Sequence, residues 1–314
     1  MTAVRWVLGP AFLCFALATV ALVGASTSTF DLRAEVEGAK LVIPAGAEHG
    51  IQRFQLPADV VCVSPGATGV RAQHSACNGE MELYGADVLA LLALTTETEW
   101  RIQRMGSGDV VLLIKATNPN AAVLGEIRTA DPLSVRRLDG PSLLLLVFRK
   151  ASLPETGLAL GVGARAFILG NERRFLVEDE RLIGRLPLRS GEARMIARSF
   201  VGDQLVQGRT FSLGLGDIVS YCVEPGADNC GNALGLVMLS RDAPIGIAMR
   251  ASATSVRVKR EGTEGYHVSL SAFERLSAEP LLAYAWLIMG GLYFLSEFFQ
   301  KLLAITARKT GERP

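Results

Sequence analysis

The chain has 314 residues, enough for about two ordinary domains. Lys and Arg total 32 against 31 Asp and Glu, a formal net charge of +1. That balance excludes a general electrostatic case for nucleic acid, whose partners normally show a basic excess.

Residues 6–25 are twenty positions without a charge, which at the α-helical rise reach about 30 Å, the thickness of a bilayer core. Arg5 precedes them, Pro10 is placed to kink them, and Val23-Gly24-Ala25 puts small residues where a signal peptidase cuts. Residues 1–25 are therefore expected to be a transmembrane anchor or a signal peptide. Either would send the chain beyond residue 25 across the membrane. The length favours the anchor, since a signal core is usually about seven to fifteen residues.

The exterior region opens as a strand. Phe30, Leu32, Ala34 and Val36 alternate with Asp31, Arg33, Glu35 and Glu37, which puts apolar side chains on one face and charges on the other. Residues 86–94, where Leu and Ala replace β-branched types, predict a short helix. Trp100 and Ile102 precede Gly106-Ser107-Gly108-Asp109 and the apolar run 110–114, together predicting a hairpin with a buried second strand. Residues 142–148 form another such run.

Pro154 and Gly157 interrupt the pattern and divide a first β domain, 26–151, from a second, 158–279, with 152–157 as linker. One large sandwich is the other arrangement. The linker reads Leu153-Pro154-Glu155-Thr156-Gly157, which looks like the sorting signal of sortase-anchored cell-wall proteins. In that family the pentapeptide stands just ahead of a C-terminal apolar stretch and basic tail. Here the whole second β region comes after it, so the segment is read as a turn-rich linker and no function is carried over.

Residues 193–201 and 204–213 flank Gly202-Asp203, a hairpin turn. Val256 and Val258 alternate with Arg257 and Lys259, and Tyr266, Val268 and Leu270 with His267, Ser269 and Ser271, the clearest hairpin of the chain. After Pro280, residues 281–299 carry one charge, Glu297, among Leu, Ile, Met, Trp286, Tyr284 and Tyr293. Lys301, Arg308, Lys309 and Arg313 come next. This predicts a second transmembrane helix, 280–305, and a cytoplasmic tail, 306–314, by the positive-inside tendency. Its packing surface is expected at Gly290 and Gly291, which admit a close neighbour, and at Glu297, which stands four residues before Lys301 in the favoured order for an ion pair.

Of five cysteines, Cys14 lies in the first apolar block, and Cys62, Cys77, Cys222 and Cys230 lie in the exterior region. An even exterior number predicts disulfides in an oxidising compartment. Cys62 is expected to pair with Cys77 and Cys222 with Cys230, because each pair brackets turn formers, Ser64-Pro65-Gly66 and Pro225-Gly226. A metal site at His74 and Cys77 with Cys62 or His49 has no CxxC pair and poor zinc spacing, so neither metal nor cofactor is expected. No Asn begins a glycosylation acceptor, which favours a bacterial envelope.

Catalytic patterns are sparse. There is no Gly-x-Ser-x-Gly elbow. The acidic run 178–180 lacks the oxygen spacing of a calcium loop, and residues 214–217 run from strand to strand without a phosphate-cradling helix. The expected protein is mainly β, with one or two antiparallel β-sandwich-like extracytoplasmic domains flanked by two transmembrane helices. It sits in a bacterial inner membrane, bulk periplasmic and C-terminus cytoplasmic. Its expected role is non-catalytic: scaffold, accessory subunit or binding module of an envelope complex. The partners expected are the lipid bilayer and other membrane or envelope proteins, a second copy of this chain among them. The alternative is a membrane-tethered periplasmic enzyme acting on envelope material, with a site dispersed in sequence. Two apolar helices around a large exterior insert resemble the polysaccharide co-polymerases. Their inserts are long helices while this one is strand-rich, so only the topology is shared.

Overall fold

The computed structural model describes residues 10, 13–19, 28–45, 53–64, 82–84, 88–118, 120–121, 123–128, 135–139, 143–170, 172–173, 185–198, 205–206, 208–223, 231–253, 255–260, 263–271, 274 and 280–309. In chain order the first strands are β1 (Ser28–Val36), β2 (Gly38–Ile43), β3 (Arg53–Ala58), β4 (Val60–Ser64), β5 (Glu82–Tyr84), β6 (Val88–Leu94), β7 (Thr98–Arg104) and β8 (Val110–Ala116). Next come β9 (Val123–Arg128), β10 (Val135–Asp139), β11 (Leu143–Phe148), β12 (Leu158–Ala164), β13 (Ala166–Leu169), β14 (Glu172–Arg173), β15 (Arg185–Leu186) and β16 (Leu188–Arg198). The last are β17 (Leu205–Val206), β18 (Thr210–Leu213), β19 (Asp217–Tyr221), β20 (Ala233–Leu239), β21 (Ile245–Ala253), β22 (Val256–Arg260) and β23 (Tyr266–Val268), before a helix at Pro280–Lys309.

The chain divides into two compact units: residues 29–195 with 209–269, and residues 1–28 with 196–208 and 270–314. In the larger unit the main sheet has ten strands in the order β23-β22-β19-β13-β2-β7-β8-β11-β4-β5. A second sheet runs β12-β20-β21-β1-β16, and β10-β9-β6-β3 form a third. The chain bends from the second sheet into the ten-stranded one across single residues, at Glu37 between β1 and β2 and at Arg165 between β12 and β13. Strands from both sides of residues 152–157 pair directly, β13 with β2. The linker expected there is thus a connection within shared sheets.

Register explains the core. One cross-strand row on the inner face reads Tyr221, Phe167, Leu41, Trp100, Ile114, Leu144, Val63, from β19 to β4. The next row reads Val219, Leu169, Ala39, Ile102, Leu112, Leu146, Val61. All fourteen are buried. Trp100 stands at the middle of its row and donates its indole N–H to Thr98 Oγ1 at 3.0 Å, so the largest apolar side chain leaves no orphan donor. At one end of the row Phe167 stacks on Tyr221 with centroids 5.1 Å apart.

The outer face changes character along the sheet. Its row Ser220, Ile168, Lys40, Arg101, Leu113, Leu145, Cys62 is half-exposed up to Arg101 and buried from Leu113 onward. There Leu113, Leu145 and Cys62 join Met105, Val111, Leu143 and Val147 in a second cluster, and β3 lies against β11. This is why β8 and β11 read as unbroken apolar runs: both of their faces are covered. Of the three sequence-predicted hairpins, β7–β8 and β22–β23 are present; in the third β16 pairs with β17, its turn at Gly202-Asp203 lying outside the described residues. β1 is present with its alternating burial. Residues 88–94 are a strand rather than the predicted short helix. Leu and Ala favour helix, but here β6 is paired on both sides, by β3 and β9, and two ladders outweigh an intrinsic preference.

Arg104 fastens β7 to the connection after β20. Its guanidinium donates to Gly108 O at 2.7 Å, Ser240 O at 2.6 Å and Arg241 O at 3.3 Å. Gly170, at φ +85, is required where it stands, because a Cβ there would lie 2.3 Å from Asp217 O.

In the smaller unit, residues 13–19 are helical, and Phe15 meets Trp286 of the C-terminal helix with ring centroids 5.5 Å apart. That helix has 30 residues. Among the described residues no helix is long and apolar enough to cross a membrane. Most of the first apolar block, and the side chains of residues 281–283 in the second, lie outside the described part of the chain.

Removing the Trp100 side chain empties the centre of the inner row. Trp100→Ala is expected to cost about 3–5 kcal/mol, measured as a fall in the thermal unfolding midpoint of the full chain. An unchanged midpoint would contradict its place in the core.

Candidate functional site

The densest charge cluster grows from sheet register. On the outer face β2 sets Lys40 opposite Arg101 and Val42 opposite Glu99, and β8 sets Lys115 opposite Glu99. One carboxylate thus meets three cations: Lys40 Nζ at 2.8 Å, Arg101 Nε at 2.7 Å and Lys115 Nζ at 3.4 Å. Glu99 is the carboxylate that these three cations share. Burial pushes the Glu99 carboxyl up, but hydrogen bonds from Lys40 and Arg101 and the charges behind them outweigh it and hold the group at about 2.

Beside this cluster lies a depression of about 370 Å³. Its charged lining is Lys40, Glu97 and Arg165, and its apolar lining includes Val42, Ile168 and Val223. Arg165 is the residue on which the chain turns from β12 into β13. Its N–H donates to Val42 O at 2.7 Å and its guanidinium pairs with Glu97 at 3.3 Å. Glu97 also accepts from Thr117 Oγ1 at 3.0 Å, which fixes the carboxylate at the rim.

Cys222 closes the wall. Among the described residues it is the only non-glycine with positive φ, +52, a conformation that side chains other than Gly, Asn and Asp rarely adopt. It is disulfide-bonded. The preceding residue, Tyr221, holds its hydroxyl 2.5 Å from Gly231 O and 2.8 Å from Ser252 O. Burial pushes the phenol up to about 12, so it stays a donor. The backbone on the two sides of residues 222–230 is thereby drawn together.

The residues expected from sequence are scattered over other places. Cys62 is buried in β4 and disulfide-bonded, while Cys77 and Cys230 lie outside the described residues. Cys14 is a free thiol. At Gly290 and Gly291 a Cβ would meet nothing within 4 Å, so among the described residues no neighbour exploits either glycine. Glu297 accepts from Tyr293 Oη at 3.4 Å, a contact one turn back rather than one to Lys301. His267 is a solvent-facing strand residue opposite Arg257. The segment Leu153-Pro154-Glu155-Thr156-Gly157 is a turn: Gly157 N–H donates to Pro154 O at 3.1 Å. Leu153 is buried and its carbonyl accepts from Arg241 Nε.

Lys40, Glu97, Glu99, Lys115 and Arg165 were not marked by any motif. They meet only because strands far apart in sequence are neighbours in the sheet. No family model matches the chain, and neither a curated protein nor a solved structure matches it.

Because the folded Glu99 carboxyl is depressed, its stabilising effect is complete above its ordinary value of 4.5 and is lost as pH falls from there toward 2. Acid unfolding of Glu99→Gln should lack this component, about 2 kcal/mol after solvent screening. Parallel stability curves for the two proteins between pH 5 and pH 2 would refute it.

Proposed function

We propose that the chain is a membrane-tethered, disulfide-stapled β-sandwich protein of a bacterial inner membrane. The bulk is periplasmic and the C-terminus cytoplasmic, and the protein serves without catalysis as scaffold, accessory subunit or binding module of an envelope complex. The observation that carries this reading is the two-sided character of the helix Pro280–Lys309. Leu287, Ile288, Leu292, Phe294, Leu295 and Phe298 are all at least half exposed and, at about 100° per residue, fall on one half of the helix. Trp286, Met289, Tyr293, Glu297 and Gln300 are half-buried and fall on the other. Phe15 packs on that second side.

Large aliphatic and aromatic side chains facing outward in such number need lipid or a protein partner. The chain from Leu281 to Phe299 carries a single charge. Pairing of Phe15 with Trp286 supports a hairpin of two helices. Cys62 and Cys222 being disulfide-bonded supports an oxidising compartment for the β region. They stand six strands apart in the ten-stranded sheet, a separation of roughly six spacings of about 4.8 Å. That favours local bridges, Cys62 to Cys77 and Cys222 to Cys230.

In spheroplasts, protease added outside should cut within residues 26–279 and spare a tag placed after Pro314; a protected middle with a digested tag would reverse the topology. Crosslinking in intact cells should recover a partner at fixed stoichiometry, whereas a lone monomer speaks against the adaptor role. Non-reducing peptide mapping should find Cys62–Cys77 and Cys222–Cys230, and four free thiols would remove the compartment argument.

A further inference from the structure

We infer that the depression between β2, β13 and Cys222 is a binding site for a small free monoanion with an apolar body, such as an aromatic or short aliphatic carboxylate. This inference stands apart from the membrane reading and requires only the larger unit.

Three features of the site point to that ligand. Its volume, about 370 Å³, lies at the low end of ligand pockets, which run from about 300 to 1,000 Å³. Its polar groups converge on negative charge. Lys40 comes from the cluster in which three cations share Glu99, and its ammonium has three N–H donors, so an anion at Lys40 Nζ need not displace Glu99. Arg165 faces the same space with its side chain 68% exposed, leaving most of its planar fork open to a second anion. Beside these cations the lining includes Val42, Ile168, which is the cross-strand neighbour of Lys40, and the 44% exposed Val223, which offers an apolar body a surface that a bare inorganic ion does not use.

The arrangement also sets specificity. A neutral isostere keeps the apolar contact and loses the two charge-assisted hydrogen bonds. A dianion without an apolar part keeps the charge and loses the wall, and it also meets Glu97 at the rim. Cys222 in the lining is disulfide-bonded and sits at φ +52.

The test uses the full chain in zwitterionic lipid nanodiscs and ligand-observed fluorine NMR. The probe is 4-fluorobenzoate, the neutral control 4-fluorobenzamide and the competitor inorganic phosphate, all against empty nanodiscs. Binding of 4-fluorobenzoate is expected, weakening as salt rises because the cations are partly exposed. Lys40→Gln and Arg165→Gln are each expected to weaken it about tenfold or more. Arg250→Gln, which alters an ion pair with Asp31 on β1, should not. Arg165→Gln changes an exposed side chain and guards against loss of binding through misfolding, which an unchanged melting curve would verify. No binding at millimolar probe overturns the inference. So do equal binding of the benzamide, full binding in both variants, and phosphate competing as strongly as the benzoate itself.

Discussion

Seven adjacent strands each contribute one buried side chain to the row from Tyr221 to Val63, and that row constrains everything built on the sheet. Side chains alternate with period two, so a slip of one residue in any strand would turn its entire apolar set outward and bring the opposite set in. For β2 and β7 the penalty is severe, because the set brought inward contains Lys40, Glu99 and Arg101. Burying these away from their mutual contacts would cost several kcal/mol per charge. The apolar inner row and the charged outer cluster are therefore two consequences of one register, and neither can be altered without the other.

The same logic separates β8 and β11 from their neighbours. Their outer-face residues, Leu113 and Leu145, are buried with Cys62, so these strands have no solvent face and a slip would exchange one apolar set for another. Register there must come from the strands on either side. β7, with Glu99 opposite Lys115 and Trp100 opposite Ile114, supplies it on one side. On the other side of β11 the backbone is fixed by Asp59. Its carboxylate accepts from Arg149 N–H at 2.7 Å and from Ser152 Oγ at 2.5 Å, and its own N–H donates to Val147 O.

Much of this was readable from local pattern. Alternation in β1 and in the β22–β23 hairpin, and the apolar run of β8 after a Gly-rich turn, carry their structure on their face because a single period decides it. Residues 88–94 misled because Leu and Ala prefer helix and nothing local announces two flanking ladders. The Pro and Gly at 154 and 157 do mark a turn, yet a turn is not a domain boundary when the strands before and after it pair with one another. The charge cluster was beyond reach for a different reason: Lys40, Glu99 and Lys115 are ordinary alternating positions in three strands, and only long-range pairing makes them a group. Cys62 and Cys222 are disulfide-bonded, while Cys77 and Cys230, the partners expected for them, lie outside the described residues.

The depression stands where a sandwich has difficulty closing. At Arg165 the chain leaves one sheet and enters another within a single residue, so the side chain at the bend belongs to neither inner face and must be able to live in water. Arginine satisfies that, and its backbone N–H is retained by Val42 O so that the bend costs no unpaired donor. The strand next to it, β19, ends at Tyr221, whose phenol reaches Gly231 and Ser252, and the chain then turns at Cys222 through a conformation most residues avoid. An ordinary Cys at φ +52 would relax toward the β region. A covalent bond at Cys222 and a buried tyrosine before it stand on either side of that conformation, at the wall of the depression.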